Sequence, residues 1–177
     1  MLAASNGVAA ALRSGGVSAY LVAVSASSLV LLFALWWLYF LQPAGETLSK
    51  NRDKSYLWGY WHFAIFAALA ALGAGLEVAI TLPLTGPQPL AQAFIAGHCV
   101  AIPTAVLMGL LWAILAPLTV RRVIRPSVIL PAVGTVLAIP ASVSAIGVAG
   151  VVGGIAVVSA VVVVVTVLQP GQKREAS

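Results

Sequence analysis

The sequence is poor in charge. Of its 177 residues only 7% are Asp, Glu, Lys or Arg, while 62% are hydrophobic. Soluble domains carry nearer a quarter charged residues, so this chain has too few polar side chains to cover a water-facing surface. Intrinsic disorder is excluded from the opposite side, because it requires low hydrophobicity and high charge. Cysteine is nearly absent as well. The single Cys99 cannot form a disulfide within the chain, nor supply the paired thiolates of a zinc site. Acidic residues number four against nine basic ones, for a net charge of +5. That balance would suit nucleic acid if the basic residues formed a patch with interleaved aromatics. They do not. Arg13, Lys50, Arg52, Lys54, Arg121, Arg122, Arg125, Lys173 and Arg174 fall in short clusters between apolar runs, as juxtamembrane charges do. The expected partner is a lipid bilayer and not nucleic acid.

What the sequence does have is apolar length. A helix crosses a bilayer core with about 20 apolar residues. The chain therefore reads as all-α, a multi-pass transmembrane helix bundle with about five transmembrane helices, at about 17–41, 56–82, 91–117, 128–146 and 150–168. The last two share one apolar run, divided near Gly147-Val148-Ala149-Gly150, where glycine permits a tight turn. A membrane β-barrel needs alternating polar and apolar positions, and nothing here alternates. Residues 1–16 form an extracytoplasmic segment and 169–177 a cytoplasmic tail. Eight Lys/Arg lie in the loops of one side and only Arg13 on the other, which places the N-terminus outside and the C-terminus in the cytoplasm. The segment before Val17 lacks the basic region of a signal peptide, and the run Val17 to Leu41 is too long for a signal core.

The aromatics gather at one membrane face. Trp36, Trp37, Tyr39 and Phe40 end the first span, Tyr56, Trp58, Tyr60 and Trp61 begin the second, and Trp112 lies near the same end of the third. An interfacial belt accounts for such rings without further cause; a stacking site for a ligand ring is the alternative. Arg121, Arg122 and Arg125 read as a stop-transfer cluster in contact with anionic lipid headgroups, ahead of a substrate-phosphate clamp. Pro103, Pro117, Pro131 and Pro140 read as prolines tolerated in membrane helices, with broken transporter-type helices as the alternative.

Three ionisable residues lie within the apolar spans: His62, Glu77 and His98. Such residues are costly in hydrocarbon and usually turn inward to a partner. Glu77 and His98 lie about 8 and 10 Å from the outer ends of antiparallel neighbouring spans. A hydrogen bond or ion pair between them is the expectation, either fastening two helices or relaying a proton or cation. Phe66, Ala70, Gly73, Ala74 and Glu77 share one helical stripe, and His98, Ala101, Ala105, Gly109 and Trp112 another; both read as packing faces. His62 lies toward the opposite face, so two histidines cannot ligate one haem iron. One acid and two scattered histidines make no zinc or di-iron site, and no catalytic constellation is identifiable. No cofactor, no metal and no enzymatic activity are expected.

Two segments carry a resemblance. Phe33-Ala34-Leu35-Trp36-Trp37-Leu38-Tyr39-Phe40 is followed by Leu57-Trp58-Gly59-Tyr60-Trp61-His62-Phe63 and by Ala70-Ala71-Leu72-Gly73-Ala74-Gly75-Leu76-Glu77. These blocks resemble the bacterial low temperature requirement A (LtrA) family, over roughly Met1 to Leu82; beyond that the likeness rests on hydropathy. The motif-matching residues are Trp36, Trp37, Tyr39, Phe40, Trp58, Gly59, Tyr60, Gly73 and Gly75, with His62 among them. Leu41-Gln42 and Trp61 depart from the pattern, standing where members often have an acidic-basic pair and glycine. The resemblance implies a longer multi-pass protein of the bacterial plasma membrane, of which this chain is the C-terminal part, supporting growth at low temperature. Two alternatives differ in kind. A small-ion or proton transporter would use Glu77 and His98, whereas a structural or assembly subunit would use the small-residue faces toward a partner helix or a second copy.

Overall fold

The computed structural model describes residues 19–41, 55–82, 89–115 and 125–168. Every regular element among them is helical: α1 (Ala19–Phe40), α2 (Ser55–Thr81), α3 (Leu90–Leu115), α4 (Pro126–Ala138), a 3₁₀ turn (Ile139–Ser142) and α5 (Val143–Leu168). Four apolar helical stretches are long enough to cross a membrane: Ala19–Phe40, Gly59–Thr81, Leu90–Ala113 and Pro126–Leu168. The all-helical membrane expectation is met, with four such stretches where five separate spans were expected.

The fourth stretch, 43 residues long, is not a straight rod. Gly147 has φ 66° and ψ 176°, a conformation open essentially to glycine alone. A straight helix would put Ile139 and Gly154 about 22 Å apart. Instead a Cβ placed on Gly154 would lie 3.4 Å from the Ile139 side chain. The chain turns back at Gly147. Both arms of the turn rest on α3 at Gly97, whose Cβ position faces Pro140 at 3.1 Å and Val151 at 3.3 Å. α4 begins where it does because Pro126 occupies its first turn, and Arg125 before it is extended, with φ −73° and ψ 139°.

Packing follows three- and four-residue spacing. On α1 the buried residues are Leu21, Val24, Ser28, Leu31, Leu35 and Leu38, a seam that lies against α5. α5 answers with Val148, Val151, Val152, Ile155, Ser159, Val162 and Thr166. α3 stands in the middle, against α2 on one side and against α4 and α5 on the other. The buried hydroxyls bond to their own helix four residues back: Ser28 donates to the Val24 carbonyl at 2.7 Å, Thr104 to Val100 at 2.8 Å and Ser159 to Ile155 at 2.8 Å. No partner helix is needed to satisfy them.

One expected packing face is corrected. On α3, Ala101 and Ala105 are buried as expected. On α2, however, Phe66, Ala70, Gly73 and Ala74 are exposed, and the buried residues are Ile65, Ala68, Leu72, Leu76 and Ala79. The crossing with α3 passes through Gly75, where a Cβ would overlap the Cys99 carbonyl. Pro103, four residues after Cys99, has no N–H to give that carbonyl. The α2 backbone approaches that carbonyl at Gly75, closely enough that only glycine fits.

α1 and α2, in contrast, touch at few points. They diverge, and a cleft remains between them.

Candidate functional site

The cleft is built from the flank of each helix beside its buried seam. α1 contributes Leu29, Leu32, Phe33, Trp36, Tyr39 and Phe40, a stripe at three- and four-residue spacing. His62, Ile65, Phe66 and Leu69 of α2 form the facing wall, and Leu107 and Leu111 of α3 form the floor. The cavity volume is about 520 Å³, within the range of small-molecule sites. Its walls are open to the side: Phe33, Phe40 and Phe66 are each more than 60% exposed. In a chain of this hydropathy that side faces lipid.

One polar bridge crosses the cleft. The Tyr39 hydroxyl and His62 Nε2 are 3.1 Å apart, one of the two donating to the other. Their rings meet edge to face, with centroids 6.1 Å apart and planes at 89°. Phe66 lies 6.3 Å beyond the His62 ring, one helical turn deeper, and Phe40 packs on Trp36 at 4.8 Å. The hydroxyl and imidazole are thus held in an otherwise hydrocarbon environment, where a hydrogen bond is strengthened by the low dielectric.

The other sequence-selected residues are placed differently. His98 Nδ1 bonds the Phe94 carbonyl of its own helix at 3.0 Å. His98 lines a shallow groove on the outer flank of the α2–α3 seam with Ala71, Ala74, Gly75 and Val78, and Glu77 does not line it. No hydrogen bond or ion pair among the described residues joins Glu77 to His98. Glu77 is half-buried, on the stripe with Phe66 and Gly73, four residues from the end of α2. At about 6 Å from that end its carboxylate is within reach of the interface without a partner helix.

Of the aromatic belt, Trp36, Trp37 and Tyr60 are exposed, as rings at headgroup level are. Tyr39, Trp61 and Trp112 instead pack against the core, and the Trp112 indole N–H is buried with no acceptor. Gly59 and Gly73 face open space, in contrast to Gly75. Arg125 is exposed at the start of α4, while Arg121, Arg122 and the Trp58 side chain lie outside the described residues. The Tyr39–His62 bridge was not anticipated from the sequence. The available signal was that both residues fall near the same membrane face on antiparallel neighbours.

The cleft residues Trp36, Tyr39, Phe40 and His62 are those in which the family resemblance is densest, and comparison of the whole chain decides the matter. The family described as bacterial low temperature requirement A protein (LtrA) matches residues 1–168. The chain belongs to the LtrA family. The LtrA match continues through α3, α4 and α5, well past Leu82, where the motif resemblance stops. No curated protein matches the chain, and no solved structure does.

Proposed function

We propose that this LtrA protein is a non-catalytic component of the bacterial plasma membrane that supports growth at low temperature, and that it acts through the cleft bridged by Tyr39 and His62. The carrying observation is the bridge itself. A 3.1 Å hydrogen bond between two polar side chains spans an apolar cleft whose walls are the family-motif aromatics. Polar groups at membrane depth are retained for a purpose more often than by chance. The reading includes five crossings, the chain turning back at Gly147, with the N-terminus outside and the C-terminus in the cytoplasm. Its support is the reversal at Gly147 and the eight-to-one distribution of Lys and Arg.

The test is complementation. In a bacterium deleted for its own LtrA protein and impaired in cold growth, the wild-type chain restores growth at low temperature and His62→Ala does not. Both are produced to equal membrane levels, and both strains grow alike at ordinary temperature. Full cold growth with His62→Ala would remove the cleft from the function.

A further inference from the structure

The dimensions of the cleft say what fits it. Along α1 the lining runs from Leu29 to Phe40, about 16 Å at the helical rise. A bilayer core is about 30 Å thick, so one leaflet is about 15 Å deep. The cleft occupies the half of α1 nearest its C-terminal end, and so runs the depth of one leaflet. Its deep end, at Leu29, Leu69 and Leu107, is wholly hydrocarbon. The polar bridge is at the other end: Tyr39 is one residue from the end of α1. With α1 spanning the core from end to end, that end is the level where a lipid's acyl chain meets its glycerol. The side toward the bilayer is open along the whole length, through exposed Leu29, Leu32, Phe33, Trp36, Phe40 and Phe66.

Resting on the reading of this cleft as the working site, we infer that it binds one glycerophospholipid of that leaflet. One acyl chain lies along the α1 stripe and the Leu107–Leu111 floor. The ester carbonyl of that chain accepts a hydrogen bond from the Tyr39 hydroxyl, and the Tyr39 oxygen in turn accepts one from Nε2–H of His62. Recognition is of chain and ester, which all diacyl phospholipids share, so headgroup charge does not select the lipid.

The experiment uses the full chain in detergent, loaded with dioleoyl phosphatidylglycerol and read by native mass spectrometry. Wild type retains one lipid. Tyr39→Phe lowers retention about tenfold, the worth of one hydrogen bond in an apolar site. Wild type loaded with the diether analogue, which lacks the carbonyl, shows the same loss, and Tyr39→Phe with the diether loses no more than either alone. Leu32→Trp, at an exposed position on the cleft wall, abolishes retention, while Val157→Trp, exposed on α5 outside the cleft, leaves it unchanged. Phosphatidylethanolamine gives the same pattern. Retention indifferent to Leu32→Trp, or equal for ester and ether lipids, overturns the proposal whatever the strains do in the cold. Normal cold growth with His62→Ala overturns the functional reading whatever the lipid retention.

Discussion

At the scale of single residues, two glycines two positions apart have opposite roles. Gly73 faces open space, and Gly75 lies on the carbonyl that Pro103 leaves without its helical donor. Gly75→Ala is therefore expected to force α2 and α3 apart, at a cost of roughly 1–3 kcal/mol. Gly73→Ala is expected to stay within about 0.5 kcal/mol of wild type. Thermal unfolding in detergent micelles separates the two; equal stabilities would contradict the described crossing. Sequence spacing alone treats both as small residues on a packing helix, because nothing in it says which glycine meets a backbone. The same limit applied to the ionisable residues. His62 stands out in the sequence as a polar side chain in an apolar run, but Tyr39 reads there as one more ring of an interfacial belt. Glu77 and His98 are level along their helices, which the sequence shows, yet Glu77 does not line the groove that holds His98, which depends on a rotation the sequence leaves open.

At the scale of elements, the positions of the helices were legible and their faces only partly so. Length, hydropathy and punctuation by proline and glycine located α1, α2 and α3 within a few residues. In lipid, however, both faces of a helix are apolar, so polarity does not mark the inward one. The α3 stripe through Ala101 and Ala105 was read correctly, whereas the α2 stripe through Ala70 and Gly73 faces outward. The division near Gly147 was legible because glycine alone tolerates its positive φ. A consequence can be measured. If the chain crosses, reverses at Gly147 and crosses back, then Arg125 and Lys173 lie on the same side of the membrane. In a Cys99→Ala background, Arg125→Cys and Lys173→Cys are both expected to react with an impermeant thiol reagent from the cytoplasmic side only. Reaction from opposite sides would mean that the stretch crosses once.

At the scale of the whole molecule, the scarcity of charge and the LtrA family match describe one object: an apolar helical bundle whose few polar side chains occupy distinct stations. Among the described residues the buried Ser and Thr hydroxyls bond to their own helices, and the basic residues of the sequence cluster outside the apolar stretches. Hydrogen bonds join α1 to α2 toward both ends. The Tyr20 hydroxyl donates to the Ala79 carbonyl at 2.6 Å near one end, and at the other a hydroxyl and an imidazole, Tyr39 and His62, are bonded across the place where the helices diverge. If the Tyr39–His62 bond is the working part of the protein, its two members act as one unit, and losing either loses the whole contribution. The most direct measurement is a double-mutant cycle on growth rate in the cold, with Tyr39→Phe, His62→Phe and the double variant, each keeping a ring in place. The double variant is predicted to grow no more slowly than the slower single variant. Deficits that multiply, so that the double variant is slower by the product of the two, would show that Tyr39 and His62 act independently and contradict the account.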